Sequence, residues 1–277
     1  MHTVAILGAG DLGGALARTL ASGDAVSRIV LIDNARNVAV GKALDIGQAG
    51  PIESYDTAVE GTDDIHEVSG ADLVVLADRY EAELSADEAL ALADRVARMA
   101  PAAPLVLAGA RHHTLMTLAI QELKLPTPRL IGSAPVAAAA AARALMAPAL
   151  DASPVDIAIP VLGLPPAWVV AWDRACSAGA PVDMPPHAAA RVERGLAASW
   201  PPGPYSLASA AAAVIRAALT GSRRRFCCFQ ATPFGSVHPV VFAAPVTLGP
   251  SGIVTVVVPE LTPRQRVALE STVLART

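Results

Sequence analysis

Six residues, Gly8 to Gly13, read Gly-Ala-Gly-Asp-Leu-Gly and join an apolar run at residues 3–7 to a stretch of helical period. No other feature constrains the chain as strongly, because glycines at these three places do three separate physical jobs between a strand and a helix. Gly8 permits a tight turn, Gly10 lets backbone approach a pyrophosphate, and Gly13 lets the helix lie close to the strand. The helix N-terminus, from Asp11 and Leu12 onward, offers unpaired N–H groups and the positive end of a dipole to phosphate. Asp11 beside such a site is tolerable only if it points to solvent. Taken alone, the turn would equally suit a fold of this kind that binds nothing, or one that binds another nucleotide.

Strand-like runs at residues 3–7, 28–32, 72–77, 105–108 and 129–131 alternate with helical periods at 12–21, 38–48, 86–99 and 114–122. This is the pattern of βαβ units and predicts an α/β fold with a doubly wound parallel sheet. The second run ends in Asp33, where a carboxylate would accept hydrogen bonds from a ribose diol and repel a 2′-phosphate, so NAD is expected in preference to NADP. Beyond Ser133 come an alanine-rich helical stretch at 136–146, a proline-rich middle expected to be irregular, and a helix at 206–219. Three β-like runs follow at 226–231, 240–248 and 253–258, then a helix from Pro263 capped by Thr262. These break points divide the chain into a dinucleotide-binding unit, 1–134, and a C-terminal α+β unit, 135–277, which are expected to share an interface.

Composition excludes several functions. Of 277 residues 53% are hydrophobic, yet every apolar run is interrupted before the roughly 20 residues that cross a bilayer, so no membrane span is expected. A net charge of -4 without a basic stripe gives no footprint for nucleic acid, and Arg223, Arg224 and Arg225 read as a solvated helix end. Cys176, Cys227 and Cys228 have neither disulfide nor metal-site spacing; no metal is expected, and buried thiols in a reducing, cytoplasmic setting are the natural reading. The first residues run straight into a strand without the pattern of an export signal.

Longer segments carry a resemblance. Residues 30–65, with Gly-Lys-Ala-Leu-Asp at 41–45, Arg-Leu-Ile-Gly-Ser-Ala at 129–134, and residues 234–253 are similar to the lactate/malate dehydrogenase family, most closely to its malate dehydrogenases. The likeness covers almost the whole chain. It implies a Rossmann domain followed by that family's C-terminal domain, NAD as cofactor, an oxidoreductase ancestry, and a homodimer or higher homo-oligomer through the helix at 38–48.

The reaction implied by the resemblance needs a histidine proton acceptor, an aspartate that orients it, arginines for the substrate carboxylate and an asparagine at a strand end. Residues 161–168, where a His-Gly-Asp segment belongs, hold no histidine; Ala138 and Ala141 stand at the Asp and Arg positions; and Ala110-Arg111 replaces the asparagine with its proline. Arg143 matches a different, structural arginine. The arginine-bearing loop is shortened to residues 78–84, offering Arg79 beside Glu81 and Glu83, a poor field for an anion. With all five groups missing, the reading is a cytoplasmic NAD-binding protein that has lost hydride transfer and acts as a sensor, scaffold or partner subunit.

The alternative is an active NAD-dependent oxidoreductase with a site rebuilt around His112, His113 and Arg79, the histidines lying beyond the strand-like run at 105–108, where open α/β sheets hold ligands. Paired histidines without a third ligand more often flank a helix start. His66, His187 and His238 read as surface residues. Trp168 and Trp172, four apart, are expected to share a helical face in the core or at a subunit interface.

Overall fold

The computed structural model describes residues 2–80, 84–234 and 239–274. The first half alternates strand and helix: β1 (Thr3–Leu7), α1 (Asp11–Ala21), β2 (Arg28–Ile32), α2 (Arg36–Glu53), β3 (Ala58–Thr62), β4 (Leu73–Leu76), α3 (Ala86–Met99), β5 (Leu105–Leu107), α4 (His112–Gln121) and β6 (Leu130–Gly132). These strands pair in parallel in the order β3-β2-β1-β4-β5-β6. That is the doubly wound Rossmann order, and its topological switch point lies between β1 and β4. The inner strands are apolar almost without interruption because helices cover both of their faces; β4 and β5 are buried at every residue.

β3 was not anticipated. Its sequence, Ala-Val-Glu-Gly-Thr, has no apolar run, since it is the sheet's outer strand and remains partly solvated. Gly61 sits there because a Cβ would lie 2.3 Å from the backbone of Ala39 in α2. α3 begins with a capping box, in which the Ser85 hydroxyl accepts from the Glu88 N–H and the Glu88 carboxylate accepts from the Ser85 N–H.

The second half contains α5 (Ala134–Leu150), β7 (Ile157–Ala158), β8 (Val161–Leu164), β9 (Ala167–Val170), β10 (Cys176–Ser177), β11 (Ala180–Pro181), α6 (Pro186–Ala198), α7 (Pro204–Thr220), β12 (Phe226–Pro233), β13 (Pro239–Gly249), β14 (Gly252–Val256) and α8 (Pro263–Leu274). The proline-rich middle is more regular than its composition suggests. Pro186 and Pro204 fall in the first helical turn, where a missing N–H costs nothing, so they start α6 and α7. α8 starts as expected, with Thr262 and Gln265 exchanging cap hydrogen bonds. Trp168 and Trp172 share no helix: Trp168 lies on β9, and Trp172 opens a short 3-10 turn and donates its indole N–H to Glu193 at 2.8 Å. Alternation of apolar residues in a hairpin had mimicked a helical spacing.

The sheet does not stop at β6. β12 joins it in antiparallel fashion through Phe229 and Gly132, a contact that needs glycine because a Cβ there would lie 2.6 Å from that of Phe229. β13, β8 and β9 continue the same sheet, and α7 packs on α1, so one apolar core runs through both halves. A second core lies between α5, α6 and the β8–β9 hairpin, built on Ala138, Ala142, Met146, Val161, Val170 and Leu196. No helix among the described residues is long and apolar enough to cross a membrane.

Candidate dinucleotide site

The glycine turn links the C-terminal end of β1 to α1. Gly8 has φ +113° and its N–H donates to Ile32 O at 2.8 Å; a side chain would be strained in this conformation and would also meet Asp78 O at 2.2 Å. A Cβ on Gly13 would lie 1.9 Å from Gly8 O, which explains how α1 comes so near the turn. Asp11 is exposed, and Leu12 is buried under the helix. From α2, Lys42 donates to Gly10 O at 2.8 Å and so ties the turn to the next helix.

Asp33, at the end of β2, is only 6% exposed. Its Oδ2 accepts from the N–H groups of Ala9 (2.7 Å) and Tyr80 (3.2 Å), and its Oδ1 from that of Ala35 (3.0 Å). A carboxylate offers about four acceptor positions, so one on Oδ1 is left for a hydroxyl. Asp33 therefore suits a ribose diol while being held in place by backbone.

Asp78 is the feature that sequence reasoning missed. It follows β4 directly across the switch point, and its carboxylate lies at the N-terminus of α1, where Oδ2 accepts from the Leu12 N–H at 3.1 Å and Oδ1 from the Gly13 N–H at 2.9 Å. Its carbonyl accepts from the Gly10 N–H at 3.0 Å. A Cβ on Gly10 would come within 2.4 Å of the Asp78 carboxylate. The space that Gly10 opens is thus taken by an anion belonging to the chain, and this anion caps a helix for which Gly10 supplies no side-chain cap.

The two histidines diverge. His112 begins α4, and its Nδ1 accepts from the Gly109 N–H at 3.0 Å, which leaves the ring proton on Nε2. Burial pushes its pKa down to about 4, against the pull of the neighbouring Asp78 carboxylate and helped by His113. His113 instead lies against Phe229, ring centroids 5.2 Å apart. Arg79 acts on the exposed Glu88, whose carboxyl is held below the usual range mainly by the Ser85 backbone and hydroxyl, with Arg79 a smaller cause. Glu81, Glu83 and His238 lie outside the described residues; His66 and His187 are exposed. Among the described residues no cluster of three or more metal-ligating side chains occurs, and all three cysteines are free.

The family model described as "lactate/malate dehydrogenase, NAD binding domain" matches residues 2–80. A malate dehydrogenase of Thermomicrobium roseum is 27% identical over 96% of this chain and 93% of its own length. Over nearly its whole length the chain is similar to proteins of the lactate/malate dehydrogenase family. Residues 2–80 match that family's NAD-binding domain, and NAD is the cofactor this match supports. A malate dehydrogenase of Cytophaga hutchinsonii is 31% identical over 58% of this chain and 55% of its own. Two solved structures share the fold. Malate dehydrogenase from Salinibacter ruber has a TM-score of 0.87 at 22% identity, covering 98% of this chain and 93% of that one. The other is a lactate dehydrogenase from Cryptosporidium parvum, complexed with lactic acid and nicotinamide adenine dinucleotide, with a TM-score of 0.88 at 19% identity, covering 98% and 94%.

The positions singled out from the resemblance carry apolar groups. Ala138 is 2% exposed in the second core, and Ala141 is part-buried against it. Residues 161–168 form β8, a Pro165-Pro166 turn and the start of β9. Trp168 from this hairpin packs edge-on to Trp200 at 5.0 Å and stacks on Phe229 at 6.2 Å. Arg143 is part-buried, and its pKa is lowered by desolvation, with repulsion from Arg224 adding to it. Gly8, Gly13 and Asp33 thus have the geometry expected of a dinucleotide turn, while the Asp78 carboxylate takes first-turn N–H donors of α1 and fills the space over Gly10.

Proposed function

We propose that this chain is a lactate/malate dehydrogenase family member that has given up hydride transfer and serves in the cytoplasm as a dinucleotide sensor, scaffold or partner-binding subunit. One observation carries the reading: the helix and hairpin that would have to present acid, base and cationic groups present Ala138, Ala141 and Trp168, packed in or against apolar cores, with Pro165 and the exposed Pro166 at the hairpin turn. Loss of a single acid–base group already costs about 10²–10⁴ in rate. Apolar packing offers a substrate carboxylate no partner, and burying an unpaired carboxylate is costly.

A homo-oligomer through α2 would fit a subunit role. On α2, Val40 is 37% and Leu44 60% exposed, one turn apart on the same face, and such a stripe is suited to burial against a second copy.

Isothermal titration with NADH tests the sensor role, which requires saturable binding; no heat at millimolar cofactor would leave the scaffold role only. The competing reading, an oxidoreductase rebuilt around His112, His113 and Arg79, requires NADH turnover on lactate, malate or neutral hydroxy compounds that falls in His113→Ala. The divergence of the two imidazoles speaks against it.

A further inference from the structure

We propose that Asp78 is a built-in competitor for the pyrophosphate position, so that a dinucleotide binds only by displacing this carboxylate from α1. The proposal rests on the NAD reading above and names the residue that sets affinity and selectivity at that site.

Three observations carry it. Asp78 takes the N–H groups of both Leu12 and Gly13 with its two carboxylate oxygens, at 3.1 and 2.9 Å, and these first-turn donors are the ones a bound phosphate needs. The carboxylate also fills the volume above Gly10, within 2.4 Å of where a Cβ would be, so it blocks the approach as well as the donors. Finally, the Asp78 carbonyl is fastened to the Gly10 N–H at 3.0 Å, and Tyr80, two residues on, is fastened through its N–H to Asp33. The segment is therefore anchored on both sides of the glycine turn, and the side chain is aimed at α1 by its own backbone.

An incoming pyrophosphate would meet a fixed negative charge at contact distance and find two of its donors in use. A ligand that reaches only Asp33, such as a nucleoside without phosphates, would meet neither obstacle. The site should therefore rank ligands in the reverse of the usual order, with phosphate groups adding nothing to affinity or weakening it. Displacing Asp78 exposes the cap of α1, so tight dinucleotide binding and release of the 78–80 segment are coupled.

The test compares adenosine, ADP and NADH by isothermal titration on the wild type, Asp78→Gly and Asp78→Asn, with circular dichroism to verify folding. In the wild type, ADP and NADH should bind no more tightly than adenosine. In Asp78→Gly, ADP and NADH should gain tenfold or more while adenosine is unchanged; Asp78→Asn, which removes the charge and keeps the bulk, should fall between. The wild-type ranking needs no variant, so it decides the matter even if the glycine variant folds poorly. ADP binding tenfold more tightly than adenosine to the wild type, or NADH binding equally to wild type and a folded Asp78→Gly, would overturn the proposal and leave the NAD reading standing. Failure of all three ligands to bind any of the folded proteins overturns the NAD reading, and this proposal with it.

Discussion

His112 gives the chain an acid-labile joint beside the glycine turn. Its Nδ1 holds the Gly109 N–H, so the ring must be neutral in the folded state, and burial lowers its pKa from 6.5 to about 4. Between these values the unfolded chain binds a proton that the folded chain refuses, so stability is lost as pH falls from 6.5 towards 4 and the loss levels off below that. At 1.36 kcal/mol per pKa unit, the shift from 6.5 to about 4 amounts to about 3 kcal/mol, of which about 2 kcal/mol is gone by pH 5. His112→Asn places an amide oxygen where Nδ1 stood, keeps the acceptor for Gly109 and does not titrate. Urea unfolding of both proteins at pH 7, 6 and 5 isolates this contribution, since carboxylates and exposed histidines titrate alike in each. The wild type should lose about 2 kcal/mol more than His112→Asn by pH 5. Parallel pH profiles for the two proteins would refute a buried neutral imidazole at this position.

Gly13→Ala forces a Cβ to within 1.9 Å of Gly8 O and should cost about 3 kcal/mol or more, read as a large drop in thermal midpoint. Gly41→Ala, on the exposed side of α2 with nothing within 4 Å of its Cβ, should instead raise stability by up to about 1 kcal/mol; a loss there would show that the α2 surface is already covered. Phe229→Ala removes a fully buried ring lying against His113 and Trp168 and should cost about 3–5 kcal/mol in urea unfolding, with a shift in tryptophan emission; a cost below about 1 kcal/mol would contradict the packing.

The glycine turn was legible because its demands are local. A positive φ at Gly8 and the contact of Gly13 with Gly8 arise within a few residues of chain, and the order of strands and helices follows from periodicity alone. Asp33 was legible for a similar reason, since it ends β2 beside the turn. Asp78 was not: its partners lie 66 and 65 residues earlier, and in the sequence it is one more acidic residue in a polar loop. β3 was hidden because an outer strand needs no apolar run, and α6 because proline density reads as irregularity unless each proline is placed in a first helical turn. The two tryptophans were misassigned because a spacing of four satisfies both a helix and a strand that ends in a turn. The divergence of His112 and His113 was equally invisible, since neighbours at the start of a helix point to different surroundings by construction.

The proposed loss of hydride transfer rests on Ala138, Ala141 and Trp168, which pack in or against apolar cores. The direct measurement is stopped-flow absorbance of NADH mixed with oxaloacetate or pyruvate at saturating concentrations, on the purified chain at pH 7. No consumption of NADH above the buffer rate is predicted. Turnover at about 1 s⁻¹ or faster, within the ordinary range of enzymes, would contradict it.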